Sequence, residues 1–94
     1  MEIRRLVLDV DKAVLRPSIL EIAAAIDSTP GVEATNIQVN EIDLETVGMN
    51  ITIQGTALDY EEIERAIENV GAVVHSIDEL ATGKVLIDNV KRER

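Results

Sequence analysis

Ninety-four residues bury only ~60–65% of the surface that the unfolded chain exposes, enough for one hydrophobic core and not for two. That core is aliphatic, since 46% of residues are hydrophobic but there is no Phe or Trp and a single Tyr, which argues against an aromatic-lined ligand pocket; the absence of cysteine excludes disulfides, thiolate nucleophiles and thiolate metal sites. Eighteen acidic against nine basic residues leave a net charge of -9, a field that disfavours nucleic acid and anionic lipid and favours cations or basic surfaces, against the plainer reading that it serves solubility alone.

In chain order, residues 1–11 alternate with period two, Leu6, Leu8 and Val10 on one side and Arg5, Val7 and Asp9 on the other, which predicts a first strand. Ser18 followed by Glu21 has capping-box spacing. Ile19, Ile22, Ala23 and Ile26 then recur at helical intervals, predicting a helix that ends near Thr29 before Pro30-Gly31. Over residues 32–45, Ile37 and Val39 alternate with amides while Ile42 and Leu44 alternate in the opposite phase, and a bulge near Asn40 and Glu41 reconciles the two. Residues 46–48 read as a hairpin turn, followed by a third strand through Met49, Ile51 and Ile53 that Gly55 closes. Asp59 repeats the capping role before Ile63, Ala66, Ile67 and Val70, and Gly71 is the expected left-handed stop before a fourth strand over residues 72–80.

The order strand, helix, strand, strand, helix, strand divides into two βαβ halves. Interleaved with right-handed crossovers, these give an α+β fold of the ferredoxin-like, split βαβ type: a four-stranded antiparallel sheet of order 4-1-3-2 with both helices on one face. The domain is expected over residues 1–83, with residues 84–94 as a tail.

This topology gathers Asp9, Asp11, Glu41, Asp43 and Glu45 at one edge, with only Lys12 and Arg16 near enough in sequence to offset them. Hard oxygen donors without cysteine suit Ca²⁺ or Mg²⁺; the competing reading is a solvated acidic rim. At the other edge Arg4 and Arg5 are expected to meet Asp78 and Glu79. His75 is the single histidine and lies mid-strand, so a sheet-face role outweighs a metal-ligand or proton-shuttle role. No serine stands in a triad context, Ser18 is taken by its cap, and the five glycines form no phosphate-binding run, so the residues point away from an enzyme. Tyr60, at the start of the second helix, is expected to pack.

What remains is surface. The sheet face away from the helices should carry Arg5, Val7, Asp9, Asn50, Thr52 and Gln54 beside Asn36, Gln38 and Asn40, a face of short amides and hydroxyls that another subunit can cover. Strands two and four form open edges. Val85, Leu86 and Ile87 in the tail offer an apolar segment for strand addition to a neighbour. Residues 1–10 lack the apolar core of a signal peptide, and no apolar run approaches ~20 residues, so a cytoplasmic protein without membrane contact is expected.

The strings RLVLDV (5–10), PGVE (30–33), EIDLET (41–46), ITIQG (51–55), DYEEIERAIE (59–68) and HSIDE (75–79) together resemble the archaeal domain-of-unknown-function family 211, over about residues 3–83. The resemblance implies a ferredoxin-like fold, homo-oligomers, ring-shaped ones included, and an association with calcium. It implies no activity and no ligand set. The expectation is therefore a self-associating interaction or structural module with calcium at the acidic residues. The alternative is a small-ligand sensing regulatory domain with its ligand at a subunit interface.

Overall fold

The computed structural model describes residues 1–87. Its elements are β1 (Ile3–Ala13), α1 (Ile19–Asp27), β2 (Val32–Ile42), β3 (Thr46–Leu58), α2 (Tyr60–Asn69) and β4 (Val73–Thr82). The strands pair antiparallel throughout in the order β2-β3-β1-β4, the ferredoxin-like arrangement that the period-two and helical patterns predict. On one face of the central strands lie Arg5, Val7 and Asp9 of β1 beside Gln54, Thr52 and Asn50 of β3, which leaves the other face of both strands to form the core.

That core is a single layer between sheet and helices. Leu6, Leu8 and Val10 of β1 and Met49, Ile51 and Ile53 of β3 are fully buried, and they meet Ile22 and Ile26 of α1 and Ile63 and Ile67 of α2. Each such side chain contributes ~1.5–3 kcal/mol by leaving water. The helices start where their caps dictate. Ser18 Oγ accepts from the Glu21 N–H at 3.1 Å while Glu21 Oε1 accepts from the Ser18 N–H at 2.9 Å, completing the capping box. Asp59 accepts from the Glu62 N–H at 3.3 Å. Gly71, at φ +106, makes the left-handed turn out of α2.

Two expectations need correction. The hairpin turn is at residues 43–45, closed by the Asp43 N–H donating to the Thr46 carbonyl at 2.8 Å, and residues 46–48 already belong to β3. Val47 is buried on the core face, so the strand must start before it. Nor does Gly55 close β3, which runs on to Leu58. Gly55 instead sits where the backbone of Gly31 passes so closely that no side chain fits, with the Thr56 N–H bonded to the Gly31 carbonyl at 3.0 Å. Residues 84–87 follow β4 outside its regular pairing, and the remainder of the tail expected to add to a neighbour's edge lies outside the described residues.

Candidate functional site

The uncovered face of the sheet is shaped by three local departures from regular pairing. At β2 the register skips Asn40 between Val39 and Glu41, the bulge predicted there, so Asn40 and Glu41 both approach Gly48 of β3. At β4 the register skips His75 between Val74 and Ser76, and Asp78 between Ile77 and Glu79. The first of these bulges brings His75 Nδ1 to 3.6 Å from Asp9 Oδ2. Gly48 pairs with Asp11, and its missing side chain leaves an open floor: a Cβ there would stand 3.1 Å from Asn40 Oδ1 and 3.6 Å from Asp11 Oδ1.

The result is a recess of about 370 Å³ lined by Asp9, Asp11, Asn40, Glu41, Gly48 and His75, drawing on all four strands. Of the five acids expected to converge, it unites Asp9, Asp11 and Glu41. Asp43 and Glu45 stand apart at the hairpin tip, with Leu44 and Thr46. The separation follows from the turn lying at residues 43–45 and carrying both side chains beyond the sheet. Asn40 and His75 are the members that sequence reasoning leaves out of the cluster: Asn40 is expected on this face but as an amide apart from the acids, and His75 is turned here by a bulge, where strict alternation would set it on the face of Ile77. The donors are the hard oxygens that suit Ca²⁺ or Mg²⁺. Among the described residues, however, no three His, Asp or Glu side chains stand close enough to enclose a metal ion.

Lys12 does not offset these acids. It is buried on the opposite face of β1, where Nζ donates to the carbonyls of Ala13 at 3.1 Å and Val14 at 3.0 Å and ties down the entry to the β1–α1 loop. At the far end of the open face Arg5 pairs with Glu79 at 2.9 Å and donates to Gln54 Oε1 at 3.4 Å, while Arg4 reaches Glu2 and the Gly83 carbonyl rather than Asp78. Asp78 accepts instead from Ser76 Oγ at 2.7 Å. Tyr60 packs against the core as expected. Its burial, with the Glu64 and Glu68 carboxylates beside it, pushes the phenol above its ordinary value.

On the helix side the two outer strands carry aliphatic residues that neither helix covers. Val39 and Ile42 of β2 pair with the buried Met49 and Val47, yet remain 41% and 72% exposed; Ile77 and Leu80 of β4 pair with the buried Leu8 and Leu6, yet remain 46% and 50% exposed. Each rim of the core layer is therefore left apolar and open. No described helix is long and apolar enough to cross a membrane.

Comparison with known proteins gives two findings. The model of the DUF211 family, described as an uncharacterised ArCR, matches residues 4–94. The uncharacterised protein MJ0319 of Methanocaldococcus jannaschii is 43% identical over 89 residues, which make up 95% of this chain and 91% of that protein. The family match thus continues through the tail, past residue 83 where the resemblance read from the sequence ends.

Proposed function

The chain belongs to the DUF211 family, and from that premise we propose that it is a non-catalytic module that assembles with copies of itself, with a divalent cation bridging at the acidic recess. The observation that carries this reading is the pair of apolar rims, Val39 and Ile42 on β2 and Ile77 and Leu80 on β4, which lie at opposite edges of the same layer. Covering β4 of one copy with β2 of the next extends the core layer across the boundary. Such a head-to-tail contact uses two different surfaces, and it closes into a ring when the rotation between neighbours divides a full turn.

Assembly must also overcome a net charge of -9 on each copy, whose mutual repulsion rises with every subunit added. A divalent cation at Asp9, Asp11 and Glu41 lowers that repulsion. Since these carboxylates do not enclose an ion within one chain, the cation in this reading takes further oxygen donors from a second copy, and its binding and the assembly are linked.

Native mass spectrometry after exhaustive EDTA treatment, and again after calcium is added, tests both parts. The expected result is a discrete oligomer that takes up calcium in fixed ratio, loses it in Asp9→Asn plus Asp11→Asn, and falls to monomer in Ile77→Lys. A monomer that binds nothing refutes the whole reading; an oligomer indifferent to calcium refutes the bridging cation and retains the self-association.

A further inference from the structure

We infer that the outer edge of β2 is a docking site for a segment of another polypeptide, extended, aliphatic and carrying a lysine or arginine, which adds to the four-stranded sheet as a further strand. β2 is bonded to β3 on one side only. From residue 34 to residue 39 it pairs with β3 one for one, Ala34 with Gln54 through Val39 with Met49, so six residues keep their outward N–H and C=O groups in regular spacing. β4, the other outer strand, holds its register for no more than three residues at a time. A straight edge is the one on which an extended peptide forms consecutive main-chain bonds.

Beside that edge lies a groove. Thr35 pairs with the buried Ile53 and so faces the helices, and with Ala23, Ala24 and Asp27 of α1 it lines an opening of about 270 Å³ between helix and strand. The alanines leave space that larger side chains would fill. Thr35 Oγ1 is sealed from water without a hydrogen-bond partner among the described residues, a penalty in the free protein that a ligand removes once the hydroxyl turns about the Cα–Cβ bond to meet it. Further along the same side Val39, 41% exposed, offers an aliphatic contact. Both walls select for charge. α1 carries Glu21 and Asp27, β2 carries Glu33 and Glu41, and neither contains a lysine or arginine; among the described residues Asp27 forms no ion pair. A strand added to β2 places alternate side chains on the helix side, and a lysine or arginine opposite Thr35 stands within reach of Asp27. The neighbour's β4 proposed above for this edge has Asp78 and Glu79 and no basic residue, so charge favours the foreign segment, and the two occupants exclude one another.

The acetylated and amidated peptide TVTKTVT reads the same in either direction and presents valine, lysine and valine on one side. Added to ¹⁵N-labelled protein, it should saturably shift the amide signals of residues 34–39 together with those of Ala23, Ala24 and Asp27, and leave those of β4 unmoved. TVTETVT should bind about 5-fold more weakly, the worth of one ion pair at a partly open site, and Asp27→Asn should narrow that difference. Thr35→Val should weaken the binding of TVTKTVT while raising the Tm of the free protein, a combination that a merely structural threonine would not give. Titrating Ile77→Lys alongside the parent keeps the test independent of self-association, because the substitution alters β4 and leaves β2 free. Absence of saturable shifts in both proteins overturns the proposal, as do shifts centred on β4 or equal binding of the two peptides.

Discussion

Alanine in place of each of two glycines of β3 should move stability in opposite directions. At Gly55 an added Cβ collides with the Gly31 carbonyl oxygen and stands 2.8 Å from Leu58 Cδ2. Neither backbone can retreat, because the Thr56 N–H is bonded to that same carbonyl and Gly55 is paired with Val32. Overpacking of this kind costs ~1–3 kcal/mol, and the strained hydrogen bond adds ~1 kcal/mol, for a total of ~2–4 kcal/mol. At Gly48 the nearest atom is Asn40 Oδ1 at 3.1 Å, the end of an exposed side chain that can rotate away. The backbone there is not left-handed, so Gly48→Ala mainly restricts the unfolded chain and gains ~0.4–1 kcal/mol. With an unfolding entropy of ~2.1 cal/mol/K per residue, hence ~0.2 kcal/mol/K for this chain, Gly55→Ala should lower Tm by ~10–20 °C and Gly48→Ala raise it by ~2–5 °C. Far-ultraviolet circular dichroism, in enough guanidinium to bring the parent's transition into range, measures both. A Gly55→Ala protein that melts with the parent would show that the β2–β3 approach is slack. A Gly48→Ala protein that melts well below it would show that the floor of the recess cannot adjust.

Two further expectations concern the helix starts. Ser18→Ala removes half of the capping box and should cost ~1 kcal/mol in denaturant unfolding. The Ser18 backbone N–H and then its hydroxyl hold the Glu21 carboxyl below its ordinary value, so Glu21 stabilises the fold above that value and the contribution is lost as pH falls through the lower folded one; a gap between Glu21→Gln and parent that stays constant into the acid range would contradict this. For Tyr60 the raised phenol value has the opposite sense: its contribution is whole below the ordinary 10.0 and is lost as pH rises through the higher folded value. Phenolate absorbance should accordingly appear at higher pH in the native protein than in denaturant, and coincident titrations would refute it.

The topology was legible because local signals and the global pattern agree. Ser18 and Asp59 cap, Gly31 and Gly71 take left-handed turns, and the period-two rows of β1 and β3 separate core from surface without ambiguity. The recess was half legible. Asp9 and Asp11 share a face by simple alternation, and opposed phases in β2 betray the bulge at Asn40. Nothing comparable marks β4: His75 and Asp78 look like ordinary strand positions, and their displacement exists only relative to β1. Gly48 and Gly55 misled for a related reason. A glycine that ends a strand and one that admits a neighbouring backbone or side chain are alike until the partner strand is placed. Lys12, next to Asp11 in sequence, points through the sheet to the other side, and only the carbonyls of Ala13 and Val14 explain why a buried ammonium is tolerated there.

The two bulges of β4 bear on how the molecule avoids indiscriminate aggregation. A flat, regular outer strand is a template on which any extended peptide can anneal, and repeated annealing of that kind leads to fibres. Two extra residues within a ten-residue strand interrupt the spacing of its outward N–H and C=O groups and increase its twist. An incoming strand then finds no long run of bonds in step. Contacts at this edge must therefore be selected by side-chain shape, Ile77 and Leu80 foremost, which makes the edge discriminating where a straight strand would be merely adhesive.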